Sequence, residues 1–168
     1  MSIDDFNYTI DIWIKELEKY DFDQLCTKPS STTWSLGQMY MHLIEDTGYY
    51  IEQIKICLSN NENATEDAAP AAKIMFANNS FPDEIIEGAP SNLYMPQPES
   101  KEQLLHSLDN IKTEMNTLAI LINESLFKGK TKHPGLNYFS ASEWLQFADM
   151  HFRHHLRQKK RIDDFLNT

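Results

Sequence analysis

The sequence predicts an all-α protein, a four-helix bundle with one long crossover in the middle of the chain. Three observations support this prediction. Apolar residues recur at spacings of three and four in four long segments. Three of these segments follow a Ser-x-x-Gln or Ser-x-x-Glu box, which is typical of a helix N-terminus. No segment competes as a strand, and a chain of 168 residues is expected to form one domain over residues 1–168.

The first two predicted helices lie in the N-terminal third of the chain. The first runs from Ile3 to about Tyr20, because its apolar residues fall on one helical face. The second follows the box formed by Ser35 and Gln38 and extends to about Leu58. Its apolar positions are Met39, Leu43, Tyr50, Ile54 and Cys57.

The other two predicted helices follow the crossover. The third helix begins after Ser100, and the fourth begins after Ser140 and runs to about Leu166. The crossover, residues 60–99, is rich in Asn, Ala, Pro and Ser and holds one short helical candidate over 82–87. A connection of this length is usually functional or partly disordered, and its role stays open.

The charge and the cysteines limit the class of protein. A net charge of -10, from 15 basic and 25 acidic residues, argues against nucleic-acid binding. The one basic cluster, residues 157–161, is interpreted as a solvated or dipole-pairing face. Two cysteines and the lack of an apolar run of 18 residues predict a cytoplasmic protein without a membrane contact.

The fourth predicted helix places two histidines inside an apolar stripe. At about 100° per residue, His151 and His155 share a face with Trp144, Ala148 and Ile162. Side chains four positions apart on a helix lie about 5–6 Å from each other, so both rings can reach one ion. Such a pair alone is more often two ordinary histidines than a metal site, so a third ligand is needed.

The four remaining histidines differ in their predicted positions. His106 falls on the solvent side of the third helix, and His154 lies about 80° off the stripe, on the flank or the surface. His133 precedes a proline in a loop, where it caps, contacts substrate or has no role. His42 lies at the edge of the apolar stripe of the second helix, and it is the natural third ligand.

Three histidines from two helices leave a coordination position open, as in catalytic zinc sites. Asp46, one turn beyond His42, either orients an imidazole or is a surface carboxylate. Phe152 stands where a His-Glu-x-x-His metalloprotease has its glutamate. The chain also lacks Glu-x-x-His, Gly-x-Ser-x-Gly and Cys-x-x-Cys, which argues against di-iron carboxylate, serine hydrolase and thioredoxin-like chemistry.

Two parts of the sequence resemble the DinB/YfiT-like superfamily of metal-binding four-helix bundles. Residues 33–43 are similar to its Trp-Ser-x-x-(Glu/Gln)-x-x-x-His block, and residues 133–144 and 151–158 to its His-Pro and His-x-x-His-His-x-x-Gln blocks. The resemblance implies that His42, His151 and His155 bind a divalent metal. Asn137 stands where the family usually has glycine, and asparagine tolerates the left-handed conformation of that turn.

The resemblance implies a metal-dependent enzyme with zinc or nickel and a small-molecule substrate. The open position favours either S-transfer from a low-molecular-weight thiol or hydrolysis. Asp46, Glu45 and His154 are the weak candidates for a proton shuttle. The alternatives are a non-catalytic bundle that binds a metal or a hydrophobic ligand, with a homodimer left open, and a purely structural protein. The metal's identity and the substrate are not determined by the sequence.

Overall fold

Four long helices form the protein, as the sequence predicts. The computed structural model describes residues 2–82 and 94–168. Its long helices are α1 (Ile3–Leu17), α3 (Leu36–Cys57), α5 (Lys101–Glu124) and α6 (Ala141–Leu166); the shorter elements are α2 (Phe22–Cys26), α4 (Pro70–Asn78), β1 (Lys130–His133) and β2 (Asn137–Ser140). No helix in the described part of the chain has the length and apolar character that a bilayer crossing requires.

Reciprocal capping boxes fix the starts of α3 and α6. Ser35 Oγ accepts a hydrogen bond from Gln38 N at 3.1 Å, and Gln38 Oε1 accepts one from Ser35 N at 2.9 Å. Ser140 and Glu143 make the same pair of contacts at 3.2 and 3.0 Å. These boxes satisfy backbone donors that a helix N-terminus leaves unpaired. The capping boxes therefore determine the residues at which α3 and α6 begin.

Aromatic side chains at the centre of the bundle tie α1 to α3 and α6. Each of α1 and α3 packs against both α5 and α6, and α3 packs most extensively against α6. Trp13 Nε1 donates to Phe152 O at 3.2 Å, and Tyr40 Oη donates to Trp13 O at 2.7 Å. These three side chains are fully buried, so the polar ends of Trp13 and Tyr40 need the partners that they have.

The expectation that the chain has no strand is wrong. β1 and β2 pair antiparallel, with His133 opposite Asn137, and the hairpin leads directly into α6. Each strand has four residues, which is too short for an alternating pattern to stand out in the sequence. Asn137 has a φ of 62°, so it occupies the left-handed region that asparagine tolerates, as expected.

The middle crossover contains a helix that the sequence did not predict. α4 starts at Pro70, where a proline fits because the first turn needs no amide donor. Ala69 N, just before it, donates to Leu136 O at 2.8 Å, and Gln146 Nε2 of α6 donates to Phe76 O at 3.0 Å. The helix predicted over 82–87 lies, apart from Pro82, outside the described residues.

One member of the basic cluster is buried, contrary to the sequence interpretation. Lys159 is 2% exposed, because Glu16 and Asp163 bind its ammonium group at 2.9 and 2.6 Å. Tyr20 Oη also donates to Asp163 Oδ1 at 2.8 Å. The remaining basic residues of the cluster are exposed, as predicted: Arg157, Lys160 and Arg161.

Candidate metal centre

The three histidines singled out in the sequence meet at one point inside the bundle. His42 Nε2 lies 3.1 Å from His151 Nε2 and 3.1 Å from His155 Nε2. The distance between His151 Nε2 and His155 Nε2 is 3.0 Å. All three residues are buried, and together they form the group that could hold a metal ion in the described part of the chain. We call this group the histidine triangle.

Helix geometry explains why the rings meet. His42 lies in the second turn of α3, and its position is set by the capping box that starts the helix at Leu36. His151 and His155 lie one turn apart in the middle of α6, so they project from the same face. Because α3 and α6 pack along their length, that face meets His42.

The triangle fits a divalent ion. Zinc–nitrogen bonds of about 2.0–2.1 Å separate two ligand nitrogens by about 2.8–3.4 Å at ordinary bond angles, and the observed separations are 3.0–3.1 Å. His155 Nδ1 donates to Gln158 Oε1 at 2.8 Å, so the neutral ring presents a lone pair at Nε2. This lone pair points at two other ring nitrogens, an arrangement that a cation between them would stabilise.

Burial keeps the three rings in the neutral form that binds metals. It lowers the pKa of His42 to about 4 and that of His155 to about 3, and neighbouring histidines add to both shifts. The pKa of His151 is also well below its usual value, because of burial first and the adjacent rings second. Metal ligation requires an unprotonated imidazole, so all three rings are ready to bind at neutral pH.

Aromatic side chains surround the triangle. The Trp34 ring lies 4.9 Å from the His42 ring, and the Tyr50 and Phe81 rings lie 5.8 and 6.0 Å from the His151 ring, between centroids. These rings limit the access of water and so strengthen electrostatic interactions at the site. Within residues 2–82 and 94–168, Nδ1 of His42 and Nδ1 of His151 have no hydrogen-bond partner.

Asp46 lies beside the triangle. Its Oδ2 is 3.6 Å from His42 Nε2 and 3.8 Å from His151 Nε2. The carboxylate therefore faces the nitrogens that would bind an ion, whereas an orienting carboxylate would contact an Nδ1 atom. Burial, together with the nearby Glu45, raises the pKa of Asp46 to about 6. Its side chain is 32% exposed, so it also reaches solvent.

His154 is buried, so of the flank and surface positions predicted for it the surface position is wrong. The Phe81 ring, which follows α4, lies 5.4 Å from the His154 ring and covers this side of α6. His154 Nε2 lies 3.3 Å from Gln158 Nε2, and its Nδ1 lies 3.1 Å from Arg157 Nη2. The His154 ring also lies 5.1 Å from the His155 ring, so His154 borders the triangle but is not one of its three residues.

The other two histidines lie away from the triangle. His133 ends β1, its Nδ1 accepts a hydrogen bond from Gly135 N at 3.0 Å, and burial lowers its pKa to about 4. Of the roles left open for it, capping the hairpin turn agrees with this contact. His106 is exposed on α5, as predicted, and accepts a hydrogen bond from Asn110 Nδ2 at 3.2 Å.

Three neighbours of the triangle were given no role by the sequence analysis, although two of them lie in the sequence blocks that resemble the family. Trp34 directly precedes the Ser35 box, and Gln158 lies three positions after His155, a spacing at which helical side chains meet. Both could have been found from these local patterns. Phe81 has no such signal, because it reaches α6 only through the path of the crossover.

The comparison with known protein families agrees with this geometry. Residues 6–158 match the model of the DinB superfamily. The matched region is most of the chain and contains α3, the hairpin and the histidines of α6. A search among curated proteins gives no match. The family match and the four-helix architecture together show that the chain belongs to the DinB superfamily.

Proposed function

We propose that this protein is a metal-dependent enzyme that acts on a small molecule. In this proposal His42, His151 and His155 hold a divalent ion, zinc or nickel, and leave one side of it open to substrate. One observation carries the proposal: three buried, neutral imidazoles turn their Nε2 atoms to a common point at separations of 3.0–3.1 Å.

The leading reaction is S-transfer, in which a low-molecular-weight thiol attacks an electrophilic small molecule. When bound, the ion would lower the pKa of a thiol or a water molecule so that it becomes a nucleophile near neutral pH. The sulfur forms a bond to the electrophilic carbon while the bond to the leaving group breaks. The thiol proton passes to a side chain of the protein, and the leaving group takes up a proton from solvent.

Asp46 is the side chain that we propose as the proton acceptor. Its Oδ2, at 3.6 and 3.8 Å from two nitrogens of the triangle, lies next to the place where a nucleophile would bind. Glu45 is exposed. Both ring nitrogens of His154 face side chains outside the triangle, those of Arg157 and Gln158. Neither of these two weak candidates is as well placed for proton transfer as Asp46.

Hydrolysis is the second candidate, and the position of Asp46 favours it. Hydrolysis needs a group that takes a proton from water and returns it to the leaving group, usually a carboxylate or an imidazole. Asp46 has the access to solvent and the distance to His42 and His151 that such a shuttle needs. The two candidate reactions therefore use the same residues and differ in the nucleophile.

Metal analysis followed by activity measurements tests the proposal. We expect about one zinc or nickel ion per chain, since one group of three ligands is present in the described residues. The metal-loaded protein is then assayed with panels of thiol acceptors and of hydrolysable esters and amides. D46N is expected to retain the metal and lose about 10²–10⁴-fold in turnover, the range of general acid–base catalysis.

E45Q is the matched control, because it removes the neighbouring carboxylate, which is exposed. E45Q is expected to keep the metal and to change the turnover far less than D46N does. Activity that survives complete removal of the metal would contradict the proposed enzyme. Metal-loaded protein without turnover in either panel would assign the chain to the alternative, a non-catalytic metal-binding bundle.

A further inference from the structure

We infer that Gln158 is a positioning residue that keeps the Nε2 atom of His155 free to bind the ion. The inference rests on the proposed metal site and adds a residue outside the triangle to it. Gln158 lies on α6, one turn beyond His155, and it is half-buried.

The amide of Gln158 contacts two histidines through its opposite ends. Oε1 lies 2.8 Å from His155 Nδ1, and Nε2 lies 3.3 Å from His154 Nε2. An amide oxygen only accepts hydrogen bonds, and an amide nitrogen only donates them. His155 therefore carries its proton on Nδ1, and its Nε2 lone pair is directed at His42 and His151.

The opposite orientation of the amide would block the ligand. The amide nitrogen would then face His155 Nδ1, which would have to accept, and the single proton of the neutral ring would lie on Nε2. A protonated ring nitrogen cannot bind a metal. The orientation of the Gln158 side chain thus decides whether His155 is able to complete the triangle.

His154 favours the orientation that the structure shows. It is buried against Phe81, and its Nε2 lies where the amide nitrogen of Gln158 donates. Arg157 Nη2 lies 3.1 Å from His154 Nδ1, so two donors compete for the one lone pair of a neutral ring. We therefore expect His154 to contribute less to metal binding than Gln158 does.

Among the described residues, Gln158 is the one that accepts a hydrogen bond from an Nδ1 atom of the triangle. In residues 2–82 and 94–168, the Nδ1 atoms of His42 and His151 have no hydrogen-bond partner. Removing the amide would leave all three ligand rings without an acceptor that fixes their orientation. Loss of such an outer partner lowers metal affinity by about 10–100-fold in other sites.

The test measures zinc affinity, by competition with a chelator, for the wild type and four variants. Q158M keeps the size of the side chain and removes both hydrogen bonds, and we expect about 10–100-fold weaker binding. Q158E keeps the acceptor and is expected to bind zinc at least as tightly as the wild type. H154F keeps a ring beside Phe81 and is expected to show a smaller loss than Q158M.

Q146M is the matched control on the same helix. Gln146 donates to Phe76 O and Asn79 Oδ1 at 3.0 and 3.1 Å, so this substitution also removes two amide hydrogen bonds. It is expected to lower the melting temperature without a change in zinc affinity. Equal zinc affinities for Q158M and Q146M would overturn the inference.

Nitrogen NMR of the imidazole rings separates this inference from the proposed function. We expect the metal-free wild type to carry the His155 proton on Nδ1, and Q158M to lose this preference. A wild type that binds no zinc would contradict the proposed metal site, and the NMR spectrum would still decide the role of Gln158. A proton on His155 Nε2 in the wild type would overturn the inference, with or without zinc binding.

Discussion

Two buried polar clusters on α6 differ in how their hydrogen bonds are completed. Near the end of the helix, Lys159 lies between Glu16 and Asp163 at 2.9 and 2.6 Å, and Tyr20 donates to Asp163 at 2.8 Å. In the histidine triangle three ring nitrogens face one another at 3.0–3.1 Å. Two further ring nitrogens there have no partner among the described residues.

This difference separates a structural cluster from a candidate site. Donors and acceptors match around Lys159, and its charge is balanced by carboxylates, so the cluster joins α1 to α6 without a ligand. The triangle instead holds two buried Nδ1 atoms, of His42 and His151, that have no partner among the described residues, and buried groups of this kind need one. Burial of polar side chains is thus a weak sign of function, whereas unmatched hydrogen-bonding capacity is a strong one.

The largest effect is expected from removing one ring of the triangle. H151A should weaken zinc binding by more than about 100-fold, because loss of a ligand exceeds the effect of losing an outer partner. Isothermal titration calorimetry measures this change directly. H106A is the matched control, since His106 is exposed on α5 and far from the triangle in sequence and contacts. Unchanged zinc affinity in H151A would contradict the contrast between the two clusters.

The Lys159 cluster is expected to affect the stability of the fold and not the affinity for zinc. K159M leaves Asp163 without its cation and Glu16 with Lys19 alone, and we expect the free energy of unfolding to fall by about 1–3 kcal/mol. Water compensates part of the loss, because the Glu16 and Asp163 side chains are 22% and 23% exposed. Urea denaturation measures the change, with K160M, an exposed neighbour, as control. A loss of zinc affinity in K159M would show that the clusters are coupled.

Lowering the pH of the metal-free protein by one unit from neutral is expected to reduce the free energy of unfolding by a smaller amount. His42 and His155 have folded-state pKa values of about 4 and 3, below the value of about 6.5 in an unfolded chain. Their contribution to stability is present above pH 6.5 and is lost as the pH falls towards these values. The free energy of unfolding changes by at most about 1.4 kcal/mol per pH unit for each ring.

Urea denaturation in the presence of a chelator, at several pH values between 7 and 4, checks this dependence. The variant H155F removes one of the shifted rings and should have a shallower slope. Stability that stays constant down to pH 4 in the wild type would contradict the assignment of neutral, buried rings to the triangle.

The parts of the fold that depend on local signals were predictable from the sequence. The boxes at Ser35 and Ser140 fixed the starts of α3 and α6, because capping involves residues three positions apart. The spacing of His151 and His155 on one helical face, and His42 at the edge of another, predicted the three residues that meet.

The rest depends on contacts between distant segments. Lys159 and His154 are buried because Glu16 and Phe81, remote in sequence, lie over them. The hairpin was not predicted because its strands are short and its register depends on the turn at Asn137. Periodicity describes which face of a helix a residue is on, and it contains no information about what covers that face.

Anomalous diffraction at the zinc edge, from crystals grown with zinc, tests the central claim most directly. We expect one strong peak at about 2.0–2.1 Å from Nε2 of His42, His151 and His155. Zinc bound elsewhere on the chain, with the three rings in place and no peak between them, would contradict the proposed metal site.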